Sequence, residues 1–245
     1  MADKRRVLVT GCSTGLGRAT AVALARSGWD VVATVRKDRY IADLLEEEPS
    51  LTVMSGFDLE DPQIGDMARK LRPHALINNA GYGLWGPVET IDPDELQRLF
   101  SVHVFGVVRL VQAVLPGMRQ LGAGHVVNIG STADQSLSVG NAAYAASKAA
   151  LRTLTVGLAL ELRPFGVQVS LVEPGKYATQ YSRNRVVATT ATRTLGQQYL
   201  VAHKIGLPPQ ERPGEREPTE VAQLIVRILD DPHPRTVYRE EDLHA

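Results

Sequence analysis

Thr10-Gly11-Cys12-Ser13-Thr14-Gly15-Leu16-Gly17 ends a short β-branched run, Arg6 to Thr10, and opens an alanine- and leucine-rich stretch, Ala19 to Ala25. A glycine-rich turn between a strand and a helix is the setting in which backbone amides cradle a phosphate. Gly11 permits the tight turn, Gly15 lets a pyrophosphate approach the backbone, and Gly17 allows close helix–strand packing. Ser13, Thr14 and Leu16 complete the candidate contact set, and the helix N-terminus aims its N–H groups at the anion. Cys12 lies in the same turn. A helix N-terminus can lower a thiol pKa, but the preferred reading is a small packing residue.

Outward from this turn, apolar runs alternate with amphipathic stretches. Further strands are expected at Val31 to Val35, Leu51 to Ser55, Ala75 to Ile77, Val126 to Ile129, Val167 to Val172 and Thr236 to Tyr238. Helices are expected at Ile41 to Glu48, Asp92 to Arg119 (capped by Asp92 or Asp94), Ala142 to Arg163 and Thr219 to Leu229 (capped by Thr219). The strands are continuous apolar runs, as in parallel sheets covered on both faces. The fold class is therefore α/β, a doubly wound parallel sheet, and ligands bind beyond the carboxyl ends of its strands.

The composition narrows the function classes. The 245 residues carry a formal net charge of zero, 44% hydrophobic residues and one cysteine. That size fits a single domain, 1–245, without room for a separate substrate domain. One cysteine excludes an internal disulfide framework and multi-cysteine metal sites, and no metal is expected. Zero net charge argues against nucleic acid as a partner. No uninterrupted apolar run of spanning length is read, and Val7 to Val9 is too short for a signal-peptide core, so a cytoplasmic protein is expected.

The second strand chooses between dinucleotides. A carboxylate at its tip would bind the ribose 2′-OH of NAD, whereas arginine accommodates the 2′-phosphate of NADP. The tip reads Thr34-Val35-Arg36-Lys37, so NADP(H) is preferred over NAD(H), although Asp38 weakens the local positive field. Tyr144 and Lys148 are four apart on a predicted helix and share a face. An ammonium beside a phenol favours phenolate and suits it to proton transfer at a carbonyl oxygen receiving hydride. Ser131, at the end of the fifth strand, could hydrogen-bond the same oxygen.

These segments, with Asn78-Asn79-Ala80-Gly81 after strand four and Glu173-Pro174-Gly175-Lys176-Tyr177-Ala178-Thr179 after strand six, stand in one order. In that order the sequence resembles the short-chain dehydrogenase/reductase family over almost its whole length. The glycine turn, the TVRK segment and the NNAGYG loop are similar to the branch containing hydroxysteroid and retinol dehydrogenases, and to bacterial ketoreductases. The resemblance implies a Rossmann-type sheet of about seven strands and a nicotinamide cofactor. It implies Tyr144 as acid/base, Ser131 as carbonyl binder and Lys148 on the nicotinamide ribose. Asp58 and the adjoining Leu59 match the adenine-side contact, although a cap on the next turn is an alternative for Asp58. Asn79, Ala80 and Gly81 match the segment beside the cofactor, and Pro174, Gly175 and Thr179 the carboxamide side. His103, in Val102-His103-Val104-Phe105-Gly106, stands where the family usually has a catalytic asparagine. Two readings stay open for it: a modified proton relay, or a packed core histidine. Family members often form homodimers or homotetramers through the two long helices.

Three loops should surround the nicotinamide. Trp85, flanked by glycines, could wall the substrate site or pack at an edge. Gln135, Ser138 and Asn141 could form a rim. The third segment, a substrate lid over 176–217, holds no acidic residue from Lys176 to Gln210, while Lys176, Arg183, Arg185, Arg193 and Lys204 are basic. Such a lid could attract an anionic or carrier-linked substrate, or be a solvated loop only. The favoured function is an NADP(H)-dependent oxidoreductase interconverting a ketone or aldehyde and an alcohol. The alternative is a non-redox dinucleotide-binding protein, either a sensor or regulator, or an epimerase or lyase.

Overall fold

The structure is a computed structural model that describes residues 5–135, 137–175, 186–187, 198–199, 201–202 and 217–244. Seven parallel strands form one sheet in the order β3-β2-β1-β4-β6-β7-β9. They are β1 (Arg6–Val9), β2 (Asp30–Thr34), β3 (Thr52–Met54), β4 (Ala75–Asn78), β6 (Gly124–Ile129), β7 (Val167–Val172) and β9 (Val237–Tyr238). Central registers are Val7↔Val31 for β1–β2 and Val7↔Ala75 for β1–β4.

Side chains alternate across a strand, and here both sides are dry. Val7, Val9, Ala75, Ile77, Val127 and Ile129 pack under α1 (Gly15–Arg26) and the last helix, Pro218–Asp230. Leu8, Leu76, Val126 and Val169 point the other way, under α3 (Ile64–Leu71), α5 (Gly106–Leu121) and α6 (Ala142–Leu162). Two cores on one sheet explain why the strands read as unbroken apolar runs. The chain reverses direction across the sheet between β1 and β4, which opens a crevice at their carboxyl ends.

Several expectations need correction. The helix expected from Asp92 to Arg119 is two helices, α4 (Pro93–Phe100) and α5, joined by a π-helical turn, Ser101–Phe105. Asp92 does cap it, accepting from the Asp94 N–H at 2.9 Å. By length and composition Pro93–Leu121 could cross a membrane, contrary to the expectation of no such run, but half of its most apolar window is buried. Val107, Leu110, Val111 and Val114 spend that apolarity on the core. The last helix starts at Pro218 with Glu217 as N-cap, not at Thr219. Proline suits the first helical position because its missing N–H would go unbonded there and its φ is preset. The helix α3 was not anticipated. Neither was the parallel pairing of β5 (Leu84–Trp85) with β8 (Val186–Val187). Apart from Val186 and Val187, two described pairs, 198–199 and 201–202, and Glu217, the expected lid lies outside the described residues, as does Thr179.

Candidate active site

The glycine turn is built from both sides. Thr10 N–H donates to Ile77 O at 3.0 Å and Cys12 N–H to Thr34 O at 2.8 Å, fixing the turn between β4 and β2. Gly11 has φ +74°, and a Cβ there would lie 2.8 Å from the Ala80 Cα. A Cβ on Gly17 would collide with the Gly11 carbonyl and the Asn79 amide. Asn79 Nδ2 donates to Thr10 O at 2.9 Å and Gly11 O at 3.2 Å, while Thr10 Oγ1 accepts from the Asn79 and Ala80 amides, each at 3.0 Å. These bonds lock the turn after β1 to the segment after β4, across the crevice. Cys12 is fully buried, donates to Val9 O at 3.2 Å, and burial pushes its thiol up to about 12. It packs and is not a reactive thiol.

The turn fits a dinucleotide phosphate. Thr14 makes no side-chain cap on α1, and the first turn of α1 carries no acidic residue. Its N–H groups are therefore left to an anion, on the positive end of the helix dipole. Arg36 and Lys37 are exposed immediately beyond β2. At the adenine side, Asp58 Oδ1 accepts from Glu60 N–H at 3.1 Å, so it does cap the following turn. Leu59 turns its side chain into the core. Its carbonyl accepts from Arg109 Nη1 at 3.0 Å, and a Cβ on Gly106 would be 2.8 Å from the Leu59 Cβ. Thus α5 backs this turn through Gly106, which closes the Val102–Gly106 stretch, and through Arg109, which the sequence alone did not single out.

Beyond β6 the polar groups converge. Ser131 follows the strand, and its Oγ accepts from Ala133 N–H at 3.1 Å. Tyr144 stands in the first turn of α6, nearly buried, with Lys148 one turn later. Lys148 Nζ donates to Ile129 O, the last residue of β6, at 2.8 Å. Burial lowers its pKa to about 8. This bond ties the face of α6 that bears Tyr144 to the strand end two residues before Ser131.

His103 sits in the π turn and is fully packed. Its Nε2 accepts from Tyr82 N–H at 3.1 Å, so the ring proton is on Nδ1, which lies 2.9 Å from Ser147 Oγ. Ser147 Oγ donates in turn to Tyr144 O at 2.7 Å. The His103 ring meets those of Tyr82 and Tyr144 edge-on, with centroids 5.8 and 5.6 Å away. Burial, then the Lys148 charge, holds its pKa well below the ordinary histidine value. Gly81 is required beside it, since a Cβ there would lie 2.9 Å from His103 Nε2.

Two loop expectations change. Trp85 is buried, its Nε1 donates to Val139 O at 3.1 Å, and its ring fills the space a Cβ on Gly140 would need. It offers no face to a substrate and instead joins the two loops. Gln135 turns from the expected rim onto Glu173, donating at 3.0 Å. Glu173 itself was not singled out. It is buried at the end of β7, its N–H donates to Tyr238 O at 2.8 Å, and Pro174 and Gly175 follow it.

Comparison with known proteins agrees with this geometry. The sequence profile described as short chain dehydrogenase matches residues 5–189. Human retinol dehydrogenase 8 is 33% identical over 250 residues, covering 95% of this chain and 80% of its own length. A short-chain dehydrogenase structure from Streptomyces avermitilis superposes with TM-score 0.81 at 33% identity, covering 98% of this chain and 88% of that one. A short-chain dehydrogenase from Sphingobium yanoikuyae in complex with NADPH superposes with TM-score 0.75 at 27% identity, covering 95% and 87%. With the family profile matched over 5–189 and a relative 33% identical over 95% of its length, the chain belongs to the short-chain dehydrogenase family and is an oxidoreductase of that family.

Proposed function

We propose that this oxidoreductase uses NADP(H) to interconvert a ketone or aldehyde and an alcohol. The observation that carries the reading is the gathering of Ser131, Tyr144 and Lys148 at the end of β6, with Lys148 buried and bonded to Ile129 O. A bound nicotinamide would supply or accept the hydride. Tyr144 would transfer the proton to or from the substrate oxygen. The Lys148 ammonium favours the phenolate, and with a pKa of about 8 it remains largely charged at neutral pH. Ser131 Oγ accepts from Ala133 N–H, which leaves its own O–H to donate to a carbonyl oxygen.

Gly11, Ser13, Thr14, Gly15, Leu16 and Gly17 would hold the pyrophosphate, and Arg36 with Lys37 the 2′-phosphate. Asp58 and Leu59 would flank the adenine; Asn79, Ala80, Gly81, Pro174, Gly175 and Thr179 would line the nicotinamide side. The NADPH complex of the Sphingobium relative supports the cofactor choice. A cytoplasmic setting and NADPH would favour reduction. The basic composition of 176–210 favours an anionic or carrier-linked carbonyl compound. His103 is proposed as a positioning residue rather than a relay, because both its ring nitrogens are engaged.

The test is to supply NADPH or NADH with a broad panel of carbonyl compounds and follow cofactor absorbance. Turnover with NADPH is expected, and Tyr144→Phe should lower kcat by about 10²-fold or more. Replacing both Arg36 and Lys37 with Ala should raise the NADPH KM about tenfold or more and spare NADH. Cofactor binding without turnover over the panel would favour a sensor, regulator, epimerase or lyase instead. Full activity in Tyr144→Phe would overturn the mechanism.

A homodimer or homotetramer through the long helices is also proposed. Phe105 is 55% exposed, Leu154 44% and Leu160 70%. Sedimentation should give more than one protomer, and Leu160→Glu should shift the distribution toward monomer; a monomeric wild-type chain would exclude it.

A further inference from the structure

Glu173 is 1% exposed at the end of β7. Carboxylates are rarely so buried unless paired, and this one binds three separate segments. Its Oε2 accepts from Gln135 Nε2 at 3.0 Å. Arg152 Nη1 lies 3.2 Å from its Oε1 and 3.6 Å from Asp134 Oδ2. Arg239 Nε lies 3.7 Å from its Oε2.

Those segments frame the reaction centre. Asp134 and Gln135 belong to the turn after Ser131, in which Ala133 N–H holds Ser131 Oγ and Gln135 N–H donates to Thr132 O at 3.1 Å. Arg152 lies on α6 one turn beyond Lys148 and two beyond Tyr144, at the spacing that keeps residues on neighbouring positions of a helix. Arg239 follows β9. From the end of β7, one carboxylate therefore pairs with the turn that aims one hydroxyl, with the helix that carries the other and with the segment after β9. Two hydroxyls meant for a single substrate oxygen must keep their separation, since a misplacement of about 1 Å can cost about 10²-fold in rate.

We propose that Glu173 is a positioning residue that sets Ser131 relative to Tyr144 by latching the 132–135 turn to α6. The inference rests on the function proposed above. Glu173→Gln keeps the shape but loses the charge that Arg152 faces, and its amide can present a donor to Gln135 where an acceptor is needed. It should lower kcat by about 10- to 100-fold while leaving the NADPH Kd unchanged. Combining it with Gln135→Glu reverses the hydrogen bond and returns a carboxylate to the cluster, so the double variant should regain most of the lost kcat. Gln135→Ala, which leaves Glu173 and its arginine partners in place, should lower kcat without affecting NADPH binding, and serves if Glu173→Gln folds poorly.

A second readout needs no turnover. Amide exchange at Ala133 and Gln135 in the cofactor-free protein should speed up in Glu173→Gln and Gln135→Ala, and slow again in the double variant. If the wild-type chain reduces no carbonyl compound, the function reading fails while the exchange result still decides the latch. Wild-type kcat and exchange in both single variants would overturn the proposal. So would a kcat loss that tracks weakened NADPH binding and is not rescued by the swap.

Discussion

Lys148 combines two demands that oppose each other. The proposed mechanism needs its ammonium beside Tyr144, yet it is buried and its pKa falls from 10.5 to about 8. The bond to Ile129 O recovers part of the desolvation cost and fixes where the charge sits. The consequence is a stability dependence with a definite sign. Below pH 8 the lysine is protonated in both folded and unfolded chains, and the burial cost is complete. Between pH 8 and 10.5 the folded protein releases the proton while the unfolded chain keeps it, so this term raises stability with pH until the cost is gone. The span corresponds to about 3 kcal/mol. Lys148→Met lacks the term. Urea unfolding of both proteins should therefore show the stability of the variant relative to wild type dropping by up to about that amount from pH 8 to 10.5. A difference that stays constant across the range would mean that the lysine titrates normally in the fold.

At the scale of elements, the π turn Ser101–Phe105 is what brings His103 inward between the Gly81–Tyr82 loop and α6. Since burial holds the imidazole neutral and both nitrogens are bonded, His103 contributes cohesion and not a titrating proton. His103→Asn should cost about 1–2 kcal/mol in stability, because the shorter side chain cannot keep both bonds. The pH–rate profile should keep the same midpoints; an acidic limb that disappears in the variant would show that the histidine does titrate during turnover. The seven strands and the placing of Ser131, Tyr144 and Lys148 were legible because doubly covered strands are continuous apolar runs and site residues follow strand ends. The π turn was not, because one widened turn leaves the apolar pattern of Asp92 to Arg119 almost unchanged. The helix α3 is short, and its buried face is only Ile64, Gly65 and Ala68. Strand β5 is two residues, Leu84–Trp85, set between Gly83 and Gly86, which leaves no apolar run to read. Trp85 looked like a wall because glycines flank it, and only tertiary packing on Gly140 decides otherwise. The Glu173 cluster draws on positions 134, 135, 152, 173 and 239, whose proximity no local pattern encodes.

For the molecule as a whole, buried neutral histidines set the acid limit. His125, on β6, is buried, with Nε2 3.1 Å from Ser170 Oγ, whose own proton goes to Arg235 O at 2.9 Å. Burial lowers its pKa to about 4, while His103 is also held well below 6.5. In the unfolded chain both would protonate near 6.5. Their contribution to stability is thus complete above pH 6.5 and is lost as pH falls, because the unfolded state binds the protons that the fold refuses. For His125, with its pKa at about 4, the loss at pH 5 is about 2 kcal/mol, a sizeable part of the 5–15 kcal/mol typical of a domain, and His103 adds to it in the same direction. Glu173 works in the opposite direction: burial raises its pKa above 4.5, so protonation there relieves a cost in the folded state. The histidine loss starts at higher pH and involves two groups, so the net slope favours unfolding in mild acid. Guanidinium unfolding at about pH 7.5 and pH 5 should show that fall, and His125→Gln should remove the His125 share, about 2 kcal/mol, because glutamine keeps a donor toward Ser170 but binds no proton. Equal stability at the two pH values in the wild-type protein would mean that one or both histidines accept a proton without unfolding, and would open the β6–β7 core to water as the explanation.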